Sequence, residues 1–308
     1  MMEGKILAVC TSEKKGTQKK DVQLCVFKEG HGLVGDAHAG NWHRQVSLLS
    51  YEKIEAFRAK GACIDFGAFG ENLVVSGFDF AKMPVGTLFY SGSVLLEMTQ
   101  IGKECHSHCE IFKVMGDCIM PREGVFARVL QAGTLKTGDT LKIAKRYRVA
   151  IITASDKGAE GLREDTAGAA IKEIVASQGY DTASYVVLPD EQSALAAEMK
   201  RIADSNEADL IFTCGGTGPS KRDVTPEATL QIADRLIPGI CEAIRAYSMQ
   251  ITKRAMFSRS VSAIRGNTLI VNLSGSKKAV CESLPFIIGS LRHCLDILQG
   301  NDSECGRP

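Results

Sequence analysis

The feature that most constrains this chain is a change of hydrophobic period near residue 146. From Lys5 to Ile143, short apolar runs are separated by glycine-containing turns: Ile6–Thr11, Val22–Phe27, Val46–Leu49, Asn72–Val75, Thr87–Tyr90, Val94–Met98, Val125–Val129 and Thr140–Ile143. Runs of that length between turn residues predict strands, so residues 1–145 read as a β-rich domain. Phe89–Leu95 reads as a hairpin around Gly92, and Gly133–Asp139 as a turn before the last strand. A single helix, Tyr51–Lys60, is expected in that half, with Ser50 as its cap.

Beyond Arg146, strand-length and helix-length segments alternate, the signature of a doubly wound, mostly parallel α/β sheet over residues 146–308. The expected order is strand Arg148–Thr153, helix Thr166–Gln178 capped by Asp165, strand Thr182–Leu188, helix Gln192–Ala203 and strand Asp209–Cys214. Two helices between Pro226 and Thr252, strand Thr268–Leu273 and helix Lys278–Leu298 complete it. A chain of 308 residues has material for two such cores.

Lysine plus arginine (37) nearly cancels aspartate plus glutamate (36), which removes the long-range field that would recommend nucleic acid or an anionic membrane as partner. The apolar run Ile6–Cys10 is too short for a signal or spanning segment, so a cytoplasmic protein is expected. Eleven cysteines, several inside predicted strands or helices, argue against a disulfide framework.

The sharpest local feature is strand Asp209–Cys214 running into Gly215-Gly216-Thr217-Gly218. Glycines there allow backbone N–H groups to approach an anion. The turn lacks the Gly-Lys-Ser/Thr of a Walker loop, and alone it is equally a tight strand-to-helix connection. Lys221, Arg222 and Asp223 follow, then Thr225 as expected cap with Pro226 at the first helical position. Two cations and a carboxylate beside such a turn suit phosphoryl or nucleotidyl transfer, with Asp223 able to hold Mg²⁺.

These residues strongly resemble the molybdopterin adenylyltransferase family. The matching blocks are Ile152–Asp156, Leu188-Pro189-Asp190, Gly215–Ala228, Ser258-Arg259-Ser260, Ile264-Arg265-Gly266 and Asn272–Gly275, where Ser274 replaces the family's usual proline. The resemblance implies that the second half transfers AMP from Mg²⁺·ATP to molybdopterin, releasing pyrophosphate. It implies Asp190 and Asp223 as catalytic, Mg²⁺-holding carboxylates, and Gly215, Gly216, Thr217 and Gly218 lining the nucleotide phosphates. By the same resemblance Ser248 and Ser258 hold molybdopterin, with Arg259 and Arg265 as neutralising groups. Lys221 and Arg222 favour phosphate by their place beside the turn, and Thr153, Ser155 and Asp156, at the carboxyl end of the first strand, sit at the same crevice. The resemblance also implies a homo-oligomer, a trimer.

In the first half, Cys105, His106, His108, Cys109 and Cys118 lie within one stretch. Two readings stand: a metal site, although the spacing fits no standard zinc knuckle, or a nucleophilic, sulfur-carrying cysteine with its pKa lowered by nearby cations. Gly32–Gly40, Arg44–Leu49, Phe69–Leu73, Val85-Gly86-Thr87 and a cysteine after the strand ending Met98-Thr99 resemble the MOSC domain, named for the C-terminal domain of molybdenum cofactor sulfurases. The resemblance implies an all-β, barrel-like fold that binds a molybdenum- or tungsten-pterin cofactor, with Cys105 carrying sulfur or contacting the metal and His38, Arg44, Glu71 and Asn72 around it. Glu104 stands where the family often has proline, and Cys109 and Cys118 stay open as alternatives.

The expectation is therefore an enzyme of molybdenum cofactor assembly, working with other assembly proteins or with the enzymes that receive the cofactor. The alternatives are a carrier that has kept only pterin affinity, and a zinc-dependent hydrolase or regulator built on Cys105–Cys118.

Overall fold

The structure, a computed structural model, describes residues 3–104 and 110–300. It divides into two compact units, Met1–Lys145 and Arg146–Pro308.

The first unit holds β1 (Glu3–Thr11), β2 (Lys20–Asp21), β3 (Leu24–Lys28), β4 (Gly32–Leu33), β5 (Val46–Ser50), α1 (Tyr51–Arg58), β6 (Leu73–Ser76), β7 (Leu88–Ser91), β8 (Val94–Ile101), α2 (Glu110–Met115), α3 (Met120–Glu123), β9 (Val125–Gln131), β10 (Gly133–Lys136) and β11 (Thr140–Ala144). Seven strands run in the order β11, β7, β8, β9, β5, β6, β1, and β1 pairs back onto β11, closing a barrel. Closure removes the exposed edges that an open sheet of this length would carry. Only β5 and β6 are parallel within it. A bulge in β1 between Ile6 and Ala8 puts Ile6 and Val9, three apart, on one core, while Ala8 and Cys10 face a second core with Ile54 and Phe57 of α1.

Two local expectations need correction. Gly133–Lys136 is a strand, β10, paired with β3, and the turn is confined to the residues after it. Ser50 precedes α1 but makes no capping bond, because its hydroxyl donates instead to Phe78 O at 2.6 Å.

The second unit holds β12 (Arg148–Ala154), α4 (Asp156–Ala159), α5 (Thr166–Ser177), β13 (Asp181–Leu188), α6 (Gln192–Asp204), β14 (Leu210–Cys214), α7 (Thr225–Ile232), β15 (Arg235–Leu236), α8 (Pro238–Ile251), β16 (Ser262–Arg265), β17 (Thr268–Leu273) and α9 (Lys277–Leu298). The sheet order is β13, β12, β14, β17, β16, β15, parallel from β13 to β17 and antiparallel beyond. Alternate residues of each central strand feed two cores. Val149, Ile151, Leu210, Phe212, Leu269 and Val271 meet residues of α5, α8 and α9, and Ala150, Ile152, Ile211 and Ile270 meet α6 and α7. Apolar residues on both faces are what a sheet covered on both sides requires. Asp165 caps α5 as expected, accepting from the amides of Ala167 and Gly168.

Candidate functional site

β13 and β14 lie on opposite sides of β12, so the chain order reverses at β12, and the carboxyl ends of β12 and β14 open a crevice there. The turn after β14 fills it. Gly215 and Gly216 have φ of +95° and +60°, values that favour glycine. A Cβ on Gly216 would come within 2.4 Å of Thr225 Oγ1 and 3.2 Å of Asp190 Oδ1. Thr225 is not the helix cap expected from its type. The cap position belongs to Val224, and the buried Thr225 hydroxyl donates to Gly215 O at 2.9 Å, tying the turn to α7.

The three carboxylates of the crevice are held differently. Asp156 and Asp190 clasp each other, each side chain accepting the other's backbone N–H, at 3.0 and 3.1 Å. Arg222 donates to both oxygens of Asp156, at 2.7 and 2.9 Å from Nη2, and to Glu191 at 2.9 Å. Its guanidinium is thus paired with carboxylates, not turned toward a phosphate. The Arg222 bonds hold the Asp156 carboxyl below its ordinary value. Burial raises Asp190, against the Asp156 amide, and the charges of Asp156 and Asp223 add to the rise. Asp223 folds back onto its own loop, accepting from the Ser220 amide at 2.9 Å.

Beside the glycine turn lies a cleft of about 470 Å³. Gly215 to Pro219 and Asp223 form one wall; Ile244, Arg245 and Ser248 of α8, the turn Thr252–Ser258, Ser260, the loop Ser274–Gly275 and Ala279, Glu282 and Ser283 of α9 form the others. Ser248 and Ser258 both line it. Arg245, which the sequence did not single out, holds the Ser258 segment by donating to Ser260 O at 2.9 Å. Asn272, buried in β17, ties that segment to α7: Oδ1 accepts from the Val261 amide at 3.1 Å and Nδ2 donates to Thr229 at 2.9 Å.

Other expected residues fall outside the cleft lining. Arg259 braces the glycine loop through Gly218 O at 2.8 Å and pairs with Glu227, so its charge is spent on the protein. Arg265 sits on β16 and donates to Asp204 at 2.7 and 3.0 Å and to Ile232 O, away from the crevice altogether. Thr153 faces Asp165 beneath α5: burial works to raise that carboxyl, but the hydroxyls of Thr153 and Tyr185 and two helix amides hold it low. Ser155 caps α4, accepting from Gly158 N.

In the barrel unit, the centre of polar contact is Asp36, which no spacing signalled. Lys19 Nζ lies 2.9 Å from it, and the amides of Ser12 and His38 and Nδ2 of Asn72 also donate to it. Lys19 and Asp36 side chains are 1 % and 0 % exposed. Glu71 is fully buried and accepts from the amides of Gly67 and Phe69 at 2.7 and 3.0 Å. Burial raises its carboxyl to about 7. Asn72 is equally buried, receiving Ser47 and donating to Cys10 O at 3.0 Å. Glu71 and Asn72, the residues the resemblance puts around a cofactor, lie in the interior and fasten loops there. His38 secures the turn through its amide, and the Arg44 guanidinium lies over the rings of Trp42 and Phe126, at 5.0 and 5.6 Å. Cys118 is buried, and Cys105, His106, His108 and Cys109 lie outside the described residues. Among the described residues no three Asp, Glu, His or Cys side chains converge as a ready metal cage.

Taken together, an α/β crevice with a left-handed glycine turn, clasped aspartates and an adjacent cleft defines a doubly wound α/β domain with a ligand-sized site at its switch point. The probable molybdopterin binding domain matches residues 150–293, and the MOSC domain matches residues 35–142. The molybdopterin adenylyltransferases of Helicobacter pylori and Escherichia coli are each 33% identical to this chain, over 155 and 168 residues. Those alignments span 50% of this chain and 88% and 86% of the two proteins. The chain belongs to the molybdopterin adenylyltransferase family through its C-terminal unit. A crystal structure of the molybdopterin biosynthesis enzyme MoaB from Thermus thermophilus is 43% identical over 50% of this chain and 97% of its own, with a TM-score of 0.48.

Proposed function

We propose that the C-terminal unit, residues 146–308, transfers the adenylyl group of ATP to the terminal phosphate of molybdopterin. The observation that carries this reading is the glycine turn at Gly215–Gly218 with Asp190 and Asp223 beside it, opening into a cleft large enough for a pterin. Backbone N–H groups of a turn in this conformation favour phosphate oxygens. Asp190 and Asp223 are hard oxygen donors, and with no three-donor cage among the described residues they suit Mg²⁺ arriving with ATP, which takes one or two carboxylates and completes its shell with phosphate and water. The cation supplies charge neutralisation at the phosphates. The chain holds the two substrates in line: a phosphate oxygen of the pterin bonds to the α-phosphorus of ATP as the bond to the β-phosphate bridging oxygen breaks, and pyrophosphate leaves. Ser248 and Ser258 hold the pterin substrate, and Arg222 and Arg259 brace the loops that shape the phosphate site.

For residues 1–145 the MOSC match supports binding of the molybdenum- or tungsten-pterin cofactor, with His38 and Arg44 at its rim and Cys105 carrying its sulfur ligand. The partners would be other cofactor-assembly proteins and the enzymes that receive the cofactor, with the chain acting in the cytoplasm as a homo-oligomer, a trimer.

Single-turnover incubation with molybdopterin, Mg²⁺ and α-labelled ATP tests the transferase reading. Adenylylated pterin from the parent, falling at least about a hundredfold in Asp223→Asn, is the expected result for loss of a charge acting on the transferring phosphoryl group. A folded parent that binds molybdopterin and yields no product would leave a cofactor carrier in its place.

A further inference from the structure

The cleft is chemically lopsided. Its glycine-turn wall suits phosphate, yet the walls from α8, the turn Lys253–Phe257 and α9 combine a bare aromatic ring with a carboxylate held only by a long ion pair. Phe257 lines the cleft and is 59 % exposed, an apolar surface left in water that binding would cover. Among the described residues two carboxylates line the cleft, Asp223 and Glu282. Asp223 is engaged by its own loop. Glu282 accepts no hydrogen bond from the described residues, and its nearest cation, Lys278 Nζ, stands 4.0 Å away, beyond hydrogen-bond reach. Three polar groups of these walls are engaged within the protein: Ser283 donates to Ala279 O at 2.7 Å, Thr252 accepts from the Arg254 amide, and Arg245 donates to Ser260 O. Both the Phe257 turn and α9 pack against α8, whose Ile244 and Ser248 floor the space.

We propose that Phe257 and Glu282 together read the pterin ring, and so fix which way round the substrate enters. This inference rests on the transferase reading for the identity of the ligand. A pterin carries two adjacent donors, the ring N3–H and the 2-amino group, and a carboxylate accepts both at once in a bidentate pair. A planar heterocycle stacks on an exposed aromatic face. With the ring held by Glu282 and Phe257, the phosphate at the other end of the substrate is directed to the glycine turn. Specificity then comes from polar matching: an analogue with an acceptor in place of the amino group faces the carboxylate with repulsion.

The test uses full-length protein and two probes, 6-hydroxymethylpterin phosphate and the lumazine in which a carbonyl replaces the 2-amino group, with affinities from pterin fluorescence and calorimetry. The parent should prefer the pterin by roughly tenfold to a hundredfold, the worth of hydrogen bonds to a charged group. Glu282→Gln should lose most of that preference, because an amide offers both donor and acceptor, while Glu282→Asp keeps part of it. Phe257→Ala should weaken both probes severalfold and leave their ratio alone. In turnover, Glu282→Gln should raise KM for molybdopterin and leave KM for ATP in place. Equal binding of the two probes by the parent, or an unchanged ratio in Glu282→Gln with a parent-like thermal midpoint, overturns the proposal. A pterin preference that depends on Glu282 supports it even if the parent makes no adenylyl product, an outcome that would sink the transferase reading alone.

Discussion

The two units each carry a network of acids and bases, and they put it to opposite uses. In the barrel, Lys19, Asp36 and Glu71 are sealed from solvent. In the α/β unit, Arg222, Asp156 and Glu191 form a comparable set whose side chains are 55 %, 43 % and 55 % exposed. A buried ion pair loses its hydration and must be matched by fixed donors, as Asp36 is by two amides, an asparagine and a lysine. An exposed one is screened and adds little to stability, so it can be rearranged when a ligand arrives. Burial separates charge used as architecture from charge free for chemistry.

Removing the cation from the sealed network is the most severe way to break that comparison. Lys19→Met keeps the volume and leaves Asp36 with an unmatched charge, for which a loss of about 3–5 kcal/mol is expected. Urea unfolding followed by the fluorescence of Trp42, the chain's single tryptophan, reads the barrel directly. A loss below about 1 kcal/mol would mean the pair is solvated and the contrast false.

A smaller effect comes from pH. Glu71 titrates near 7 when folded because burial raises it, against an ordinary 4.5. The folded state therefore holds its proton over a range where the unfolded chain has lost it, so stability falls as pH rises from about 4.5 to about 7 and is level above. Asp36 is held low by Lys19 and His38 against its burial, so it titrates below this window. Glu71→Gln should flatten the slope; an unchanged slope would assign it to other groups. The least effect belongs to the open network. Arg222→Gln should leave the calorimetric unfolding midpoint where it stands, and a clear drop would show that exposure had not made this network dispensable.

Much of the α/β unit was legible because each central strand is apolar on both faces and α5 carries its own start and stop residues, Asp165 and Gly179. The glycine turn was legible too, since its conformation leaves few alternatives to glycine. What escaped was set by distant parts of the chain. Lys19 sits in a run of lysines that reads as a solvated loop, and only the fold brings Asp36 against it. β10 contains a lone buried Leu135, too short a pattern to distinguish from a turn without its partner β3. Thr225 has cap chemistry, but its hydroxyl donates to Gly215 O, and the cap position falls on Val224. Arg265 carries a charge suited to phosphate, and its placement on β16 beside Asp204 decides otherwise. Glu282 and Phe257 lie in stretches with no motif, and only the cleft joins them.

The mutual clasp of Asp156 and Asp190 has a consequence for how this sequence can vary. Each side chain is the acceptor for the other's main chain, so losing either one strands an amide at the opposite position. The two sites form one heritable unit, free to drift only as a pair. Asparagine is the single-step exception: it keeps an oxygen for the partner amide while discarding the charge. Replacement by alanine at either position would therefore confuse a broken hinge with a missing charge, whereas asparagine separates the two.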